Sequence, residues 1–246
     1  QVDRQLRITR EEHLISQHRA TQALIRGLAH EIKNPLGGLR GAAQLLEREL
    51  PDPALHEYTQ IIISEADRLQ TLVDRLLGPN RLPRLEEVNI HSLMEHVRNL
   101  VLAESGEQVR IVRDYDPSIP DLLLDSDRII QAMLNIVRNA VRALQGEANP
   151  QVILRSRIQR QITIGNHRHR LAAQIEIEDN GPGVADEILD TLFYPLVSAT
   201  EGGMGLGLSI SQSLINLHGG LIECDSKPGR TVFRVLLPLE NPNASK

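Results

Sequence analysis

The stretch His30-Glu31-Ile32-Lys33-Asn34-Pro35 lies within a long helical pattern and carries an unusual set of polar side chains. Helical spacing puts His30 and Asn34 on one face, one turn apart. Glu31 lies about 100° round the helix from His30, within reach of its ring. Pro35 lacks an amide hydrogen and crowds the carbonyl of Glu31, which predicts a kink or a loosened turn. A lone helical histidine is usually a solvated or a core residue, so these residues suggest a reactive site without establishing one.

The helical pattern extends on both sides of this stretch. Over residues 1–50, apolar side chains recur at spacings of three, four and seven, and Pro51-Asp52-Pro53 ends the run. A second amphipathic run covers residues 55–76. The two runs predict a helical hairpin over residues 1–78. Because two helices alone bury little of their apolar faces, we expect two copies of the hairpin to form a four-helix bundle.

Composition excludes several classes of protein. The chain has 246 residues, 41% of them hydrophobic and 24% charged, with a net charge of −5, so a globular protein without bulk attraction to nucleic acid is expected. No apolar run approaches the roughly 20 residues that span a bilayer, and no signal peptide is recognisable. Cys224, the single cysteine, excludes an internal disulfide and fits a reducing, cytoplasmic location.

A turn-rich segment, 78–84, separates the hairpin from a region of different character. We assign a linker to 79–88, a second domain to 89–240 and a disordered tail to 241–246. Alternating helical and strand patterns in the second domain predict a mixed sheet with helices on one face, and therefore an α+β fold. The predicted helices are 90–103, 127–144 and 206–217, and the predicted strands are 109–115, 151–164, 170–178, 221–225 and 231–237.

One predicted hairpin, 151–178, is rich in arginine. A nucleic-acid patch and a solvated hairpin both account for such a segment. Aromatic residues make up only 2% of the chain, so stacking platforms for bases are missing and we prefer the solvated hairpin. The arginines concerned are Arg155, Arg157, Arg160, Arg168 and Arg170.

Asn135 and Asn139 lie one turn apart on the predicted helix 127–144, and Arg142 follows them. Asparagine prefers caps and turns, so two on one face of a helix suggest a polar function. An amide oxygen can bind Mg²⁺, and an amide nitrogen can donate to phosphate. A pair of solvated amides is an equally good interpretation of these residues alone.

Two glycine-containing stretches come later in the chain. Asp179-Asn180-Gly181-Pro182-Gly183 follows a strand pattern; its acid could accept the adenine amino proton, although a surface turn has the same composition. The second stretch, 202–208, leads into a helix whose N-terminal amides can face an anion. It is neither a Walker P-loop, since no Gly-Lys-Ser/Thr follows, nor a Rossmann fingerprint, since no strand precedes it.

In their order and spacing, these stretches resemble the sequence boxes of the sensor histidine kinases of two-component signalling, over essentially the whole chain. The amino-acid sequence around His30 is most similar to that of the histidine kinases of nitrogen regulation. The matching stretches are His30 to Leu39 (H-box), Asn135 and Asn139 (N-box), Asp179 to Gly183 (G1 box), Leu192 to Pro195 (F-box), Gly203 to Leu208 (G2 box) and Gly229 to Phe233 (closing strand).

The resemblance implies a dimeric helical hairpin followed by an α/β sandwich that binds ATP, of the type shared with Hsp90, gyrase and MutL. It implies ATP and Mg²⁺ as cofactors, with Asp179 reading adenine and Asn139 binding Mg²⁺. The residues implied in nucleotide binding are Asn135, Asn139, Arg142, Asp179, Gly181, Gly183, Gly203, Gly205, Gly207, Leu208 and Thr231.

The resemblance also implies a reaction. His30 would take the γ-phosphoryl group of ATP and pass it to an aspartate in the receiver domain of a response regulator. Glu31 would hold or deprotonate the far ring nitrogen, and Asn34 would orient water in the reverse, phosphatase reaction. A PII-type signalling protein would be a further partner, and an N-terminal sensory domain would precede the chain. No direct contact with nucleic acid or membrane is expected.

Two other functions are compatible with the same motifs. An ATPase clamp of the Hsp90 or MutL type would share the second domain, although His30 in a helical hairpin argues against it. A dimeric scaffold with a degenerate nucleotide pocket would share both domains.

Overall fold

The structure, a computed structural model, describes residues 27, 29, 31–77, 83–165, 167–195, 197 and 205–239. These residues form two compact units that divide between Arg81 and Leu82. The N-terminal unit consists of two helices, and the C-terminal unit contains helices and two sheets. The expected α+β class is therefore confirmed.

The N-terminal unit is the predicted helical hairpin. Helix α1 covers 31–49 and continues as a helix through Pro35, and α2 covers Pro53–Leu77. The side chain of Asp52 caps α2 by accepting the N–H of Ala54 at 2.9 Å. Proline suits the first helical position because it has no amide hydrogen to leave unpaired. The turn around Asp52 therefore makes the two helices antiparallel neighbours.

Small and medium side chains fill the contact between the two helices. An ion pair from Arg40 Nε to Asp67 Oδ1, 2.8 Å long, also joins them. Alanine at a helix contact allows the backbones to approach closely. The buried contact residues are Ala29, Leu36 and Ala43 of α1 and Thr59, Ala66 and Val73 of α2.

A second apolar face of the hairpin is uncovered. On each helix three large apolar residues recur at intervals of seven and remain 40–58% exposed. A repeat of seven forms the seam of a helical bundle, and burial of such a side chain contributes roughly 1.5–3 kcal/mol. This face is the expected dimer interface. Its residues are Ile32, Leu39 and Leu46 of α1 and Leu55, Ile62 and Leu69 of α2.

The C-terminal unit is built on a five-stranded sheet of order β2-β4-β5-β7-β6, in which only the β2–β4 pair is parallel. Helices α4 and α6 contact this sheet and α3 packs on α4. A two-stranded sheet, β1-β3, completes the unit. The elements are β1 (Glu86–Val88), α3 (Ile90–Ser105), β2 (Arg110–Asp114), β3 (Leu122–Leu124), α4 (Ser126–Ala143), β4 (Gln151–Ile164), β5 (His167–Asp179), α5 (Asp186–Leu189), α6 (Gly207–Asn216), β6 (Leu221–Lys227) and β7 (Arg230–Pro238).

The core of this unit combines strand residues that alternate in the sequence with helix residues at helical spacing. Alternate residues of β5 and β7, among them Ile175, Ile177 and Val235, are buried on the helical face of the sheet. Residues of α4 at helical spacing, such as Met133 and Ile136, are buried against them. Most helices and strands of this core are ones that the sequence predicts, but Leu122 and Leu124 of a strand that was not predicted, β3, also belong to it.

Three short elements were not predicted. Strands β1 and β3 have three residues each and α5 has four, too few for a period to be visible. The pairing of β1 with β3 puts Glu86–Val88, which we assigned to the linker, into a sheet of the C-terminal unit. The linker therefore ends before residue 86. Strand β5 also begins earlier than expected, at His167.

The arginine-rich hairpin is β4–β5, and part of its charge is paired. Arg155 forms ion pairs with Asp114 at 2.9 Å and with Glu176 at 2.8 Å. Arg157 also binds Asp114, at 2.7 Å. Hydrogen bonds from both arginines hold the pKa of Asp114 below its usual value. These contacts favour the solvated hairpin over a nucleic-acid patch.

Acidic residues on the uncovered face of the hairpin should separate the dimer. We expect the double variant Leu39→Glu, Ile62→Glu to be a monomer, because association would bury two carboxylates per chain in an apolar seam. Molar mass from light scattering after size exclusion measures this. Arg48→Glu, at an exposed polar position of α1, should leave the dimer intact. A dimeric double variant would place the interface elsewhere.

Candidate functional site

The polar face of α4 carries the two predicted asparagines. The Nδ2 of Asn135 donates to the carbonyl of Gly207 at 3.2 Å, so this amide is already engaged with the start of α6. Asn139 follows one turn later and is half-buried. Among the residues that the structure describes, none makes a side-chain hydrogen bond with Asn139. Asn139 therefore has its whole amide available to a ligand, whereas one N–H of Asn135 is engaged.

Arg142 lies near the C-terminal end of α4, in a cleft between α3 and α4. The cleft has a volume of about 600 Å³, and Glu104 and Arg138 also line it. Arg138 and Glu104 are paired with each other. The structure thus places Arg142 on the α3 side of α4, beside an existing ion pair.

Asp179 ends β5 and is only 3% exposed. Its Oδ1 accepts the N–H of Gly181 at 3.0 Å. Burial raises the pKa of this carboxyl to about 6, against an ordinary value of 3.8. The carboxylate is ionised at neutral pH but poorly solvated, so a donor from a bound ring would be stabilised there.

Gly181 and Gly183 leave no room for a side chain. A Cβ on Gly181 would lie 2.8 Å from Oδ1 of Asp179 and 3.5 Å from the carbonyl of Ala143. Gly183 has a φ of +90°, and its Cβ would lie 2.9 Å from the backbone of Lys227. Since Ala143 is one turn beyond Asn139, this close approach brings the polar face of α4 and Asp179 to the same cleft.

Thr231 stands beside Asp179 in the register of β5 and β7 and is buried. Its Oγ1 is 2.8 Å from Oγ of Ser226, and that hydroxyl accepts the N–H of Val184 at 2.9 Å. The pair of hydroxyls thus holds the loop after Gly183. Ser226 was not predicted, because a single serine in a strand carries no recognisable signal.

The glycine-rich stretch reaches the same region at the start of α6. Gly205 has a φ of +63°, and Gly207 is the first residue of the helix. Leu208 is half-buried and packs against the main core. Gly203 lies outside the described residues. Because Gly207 binds Asn135, this stretch borders the polar face of α4.

The first predicted site is on the other unit, on α1. Glu31, Asn34 and Pro35 are exposed there, whereas His30 lies outside the described residues. An exposed acid and amide on one helical turn are accessible to a partner protein.

Sequence reasoning missed a buried polar cluster at the other end of α4. The N–H of Asp125 donates to Nε2 of His218 at 3.0 Å, and Nδ1 of His218 lies 2.8 Å from the carbonyl of Leu214. The carboxylate of Asp125 caps α4 and pairs with Arg128 at 3.1 Å. Asp125 as the cap of α4 is a local signal, but no local pattern marks its bond with His218, because the two residues are 93 positions apart.

Two kinds of feature are absent from the described residues, a membrane-spanning helix and a cluster of metal-binding side chains. None of the described helices is both long enough and apolar enough to cross a membrane. No group of three or more histidine, cysteine, aspartate and glutamate side chains in the described ranges could hold a metal ion.

Comparison with known families assigns each part of the chain. The "His Kinase A (phospho-acceptor) domain" matches residues 20–83, and the "Histidine kinase-, DNA gyrase B-, and HSP90-like ATPase" matches residues 124–241. The sensory histidine kinase/phosphatase NtrB of Vibrio alginolyticus is 55% identical over 238 residues, which cover 97% of this chain and 68% of that protein. NtrB of Escherichia coli O157:H7 is 56% identical over 240 residues, with the same coverage.

Solved structures agree with this assignment. Full-length ShkA in complex with AMPPNP has a TM-score of 0.58 and 25% identity, and the match covers 90% of this chain and 47% of ShkA. The histidine kinase ThkA in complex with the response regulator TrrA has a TM-score of 0.57 at 23% identity, covering 95% of this chain and 66% of that chain. The likeness in fold extends over both units.

Replacement of the buried carboxylate should stabilise the chain and remove its nucleotide. We expect Asp179→Asn to raise the free energy of unfolding at neutral pH, because a poorly solvated charge becomes a neutral amide of the same shape. The folded pKa of about 6 exceeds the ordinary 3.8, so wild type regains stability as pH falls between these values. The advantage of the variant should therefore shrink over that range.

Denaturant unfolding at a series of pH values measures this difference, and the rise in melting temperature with ATP measures binding. Asp186→Asn, at an exposed acid on α5, serves as the control and should change neither quantity. A variant that is less stable at neutral pH, or that keeps the ATP-dependent rise, would contradict our view of Asp179.

Proposed function

The chain belongs to the two-component sensor histidine kinases, within the NtrB group of sensory histidine kinase/phosphatases, and on that premise we propose that its C-terminal unit binds ATP between α4, the loop after β5 and the start of α6. It is a protein histidine kinase that phosphorylates itself from ATP, transfers the phosphoryl group to a response regulator and, as a phosphatase, hydrolyses the phosphorylated regulator. The kinase works as a homodimer.

The observation that carries the nucleotide site is the buried carboxylate of Asp179 beside glycines that permit close approach. The adenine amino group is a donor that suits this acceptor, and glycine at position 181 leaves the carboxylate unobstructed, because a Cβ there would lie 2.8 Å from Oδ1 of Asp179. Leu208 and Thr231 border the same region. Gly203 belongs to the proposed site by its sequence alone.

We propose that Asn139 provides the protein ligand for Mg²⁺. Its amide oxygen has the oxygen chemistry that this ion prefers, and Mg²⁺ commonly takes few protein ligands, with phosphate oxygens and water completing its shell. Bound there, the ion would neutralise charge on the phosphates. Arg142 could add a cation only by turning away from the α3 side of its helix.

We assign the phosphoryl acceptor to His30. In that reaction a bond forms between a ring nitrogen of the neutral imidazole and the γ-phosphorus, and the bond to the ADP oxygen breaks. Glu31, the next residue on α1, would accept a hydrogen bond from the other ring nitrogen and keep the attacking lone pair available. In-line positioning supplies most of the rate in such transfers.

The exposed amide of Asn34 fits the phosphatase reaction. An amide both donates and accepts, so it can hold a water molecule in line with the aspartyl phosphate of the regulator. We propose an NtrC-like regulator and a PII-type signalling protein as partners, by analogy with nitrogen regulation. We propose that the phosphotransfer hairpin lies in the N-terminal compact unit and the catalytic domain in the C-terminal one.

Phosphate on His30 is the first test of this function. After incubation with Mg-ATP, we expect acid-labile, base-stable label on the wild-type chain and none on His30→Gln, because glutamine offers no nucleophilic nitrogen. The control is His56→Gln on α2, which should be labelled normally. Label that persists on His30→Gln would place the acceptor elsewhere. A wild-type chain that binds ATP without labelling would favour the clamp, and one that neither binds ATP nor is labelled would favour the scaffold.

The phosphatase role of Asn34 makes a separate prediction. We expect Asn34→Ala to slow dephosphorylation of the regulator by tenfold or more, since positioned groups in proton transfer contribute roughly 10²–10⁴-fold. Autophosphorylation should stay within about twofold of wild type. Loss of phosphate from labelled regulator measures the rate, and Gln44→Ala, an amide further along α1, is the control. An unchanged rate in Asn34→Ala would show that another group orients the water.

A further inference from the structure

Three hydrogen bonds occur at intervals along the contact of α4 with α6, two of them between the helices and one between Asp125, the N-cap of α4, and His218, just beyond α6. From one bond to the next, the residue number rises on α4 as it falls on α6, so the helices are antiparallel and the bonds define one register. We call this set the α4–α6 ladder. Its rungs pair Asp125 with His218 at 3.0 Å, Ala132 with Ser211 at 3.0 Å and Asn135 with Gly207 at 3.2 Å.

The two outer rungs have a defined donor and acceptor, whereas the single hydroxyl proton of Ser211 can go to the carbonyl of Ala132 at 3.0 Å or to that of Gly207 at 2.9 Å. Nδ1 of His218 must donate to the carbonyl of Leu214, so its Nε2 carries the lone pair that accepts the N–H of Asp125. The hydroxyl of Ser211 is fully buried. In a dry contact such bonds are directional and costly to break, so sliding of one helix along the other would be resisted.

The two ends of the ladder lead to functional parts of the chain. At one end, Gly207 continues from Gly205 and the glycine-rich stretch, and Asn135 is one turn from Asn139. At the other end, the carboxylate of Asp125 accepts the backbone N–H of Arg84 at 2.8 Å, where the chain enters this unit. The ladder therefore fixes the start of α6 relative to the ligand-binding face of α4.

We propose that Asn135, Ser211 and His218 are positioning residues of the kinase reaction, which hold α6 in register on α4 and so set the glycine-rich stretch against Asn139 around the phosphates of ATP. This inference rests on the proposed ATP site. It gives Asn135 a role in the ladder beside the predicted phosphate contact, because one N–H of its amide donates to Gly207 and the other remains available. His218 acts from the far end of the helix pair, without touching the nucleotide.

Loss of a positioning residue should affect the binding of only one part of the nucleotide, whereas loss of a stabilising residue should affect the binding of all of it. The base end depends on Asp179 and Gly181, which lie on the sheet and its loop, whereas the phosphate end depends on the start of α6. Loss of a rung should therefore weaken binding of Mg-ATP and leave adenosine unaffected. General destabilisation would affect both ligands alike.

The test uses the full chain and calorimetric titration with Mg-ATP and with adenosine. We expect His218→Leu and Asn135→Ala each to weaken Mg-ATP on the order of fivefold, a typical coupling between sites, while adenosine stays within about twofold. Asn135 and residue 125 are ten positions, or about 15 Å, apart on α4. If the two substitutions acted independently at that distance, their fold-losses in affinity for Mg-ATP would multiply. If each of them disrupts the same α4–α6 register, the second should add little to the first. The double variant should therefore fall well short of the product.

Val97→Ala, in the buried face of α3, is the matched control for lost packing and should leave the ratio of the two affinities unchanged. If His218→Leu does not fold by circular dichroism, Ser211→Ala replaces it in the same design. Equal loss for both ligands, no loss in the His218 or Ser211 variant, or multiplying effects in the double variant would each overturn the ladder. A wild-type chain that binds neither ligand would instead overturn the proposed ATP site.

Discussion

Burial of one face of α4 is the constraint on which the C-terminal unit depends. Met133, Ile136 and Val137 are almost completely inaccessible to water, and each side chain of this kind contributes roughly 1.5–3 kcal/mol by being buried. Rotation of α4 by a single residue would expose part of this face and bury polar groups in its place. The direction in which Asn135 and Asn139 point is therefore set by the core, and the site inherits its geometry from packing.

The proposed nucleotide site adds features that cost stability. Asp179 keeps a charge in a place where water solvates it poorly, and Gly183 adopts a φ that other residues rarely adopt. Neither feature helps the fold, and both leave unused interaction capacity for a ligand. The C-terminal unit tolerates these two features because the core beneath them is continuous from α3 to β6. The same strands thus stabilise the unit through their buried residues and carry residues of the proposed site at one end.

The helical hairpin solves a different problem. Its internal contact consists mainly of small side chains, and its large apolar residues face outward on both helices. A second copy would cover these residues, so the fold of this unit and the assembly of the dimer are one process. The exposed turn with Glu31 and Asn34 lies on the same helix as this seam. Dimerisation can therefore present the reactive turn without burying it.

The sequence by itself determined the parts that depend on local periods and on short motifs. Alternation and helical spacing were sufficient for the hairpin, for α3, α4 and α6 and for the main strands. That Asp179 and its glycines accept adenine stays a prediction. Only the tertiary structure decided that Asn135 binds Gly207, 72 residues away, and that Asp125 binds His218, 93 residues away. The physical reason is that a hydrogen bond between distant residues depends on how helices and strands are registered against each other. Local sequence patterns predict which face of a helix or strand is buried, but not the register between two such elements.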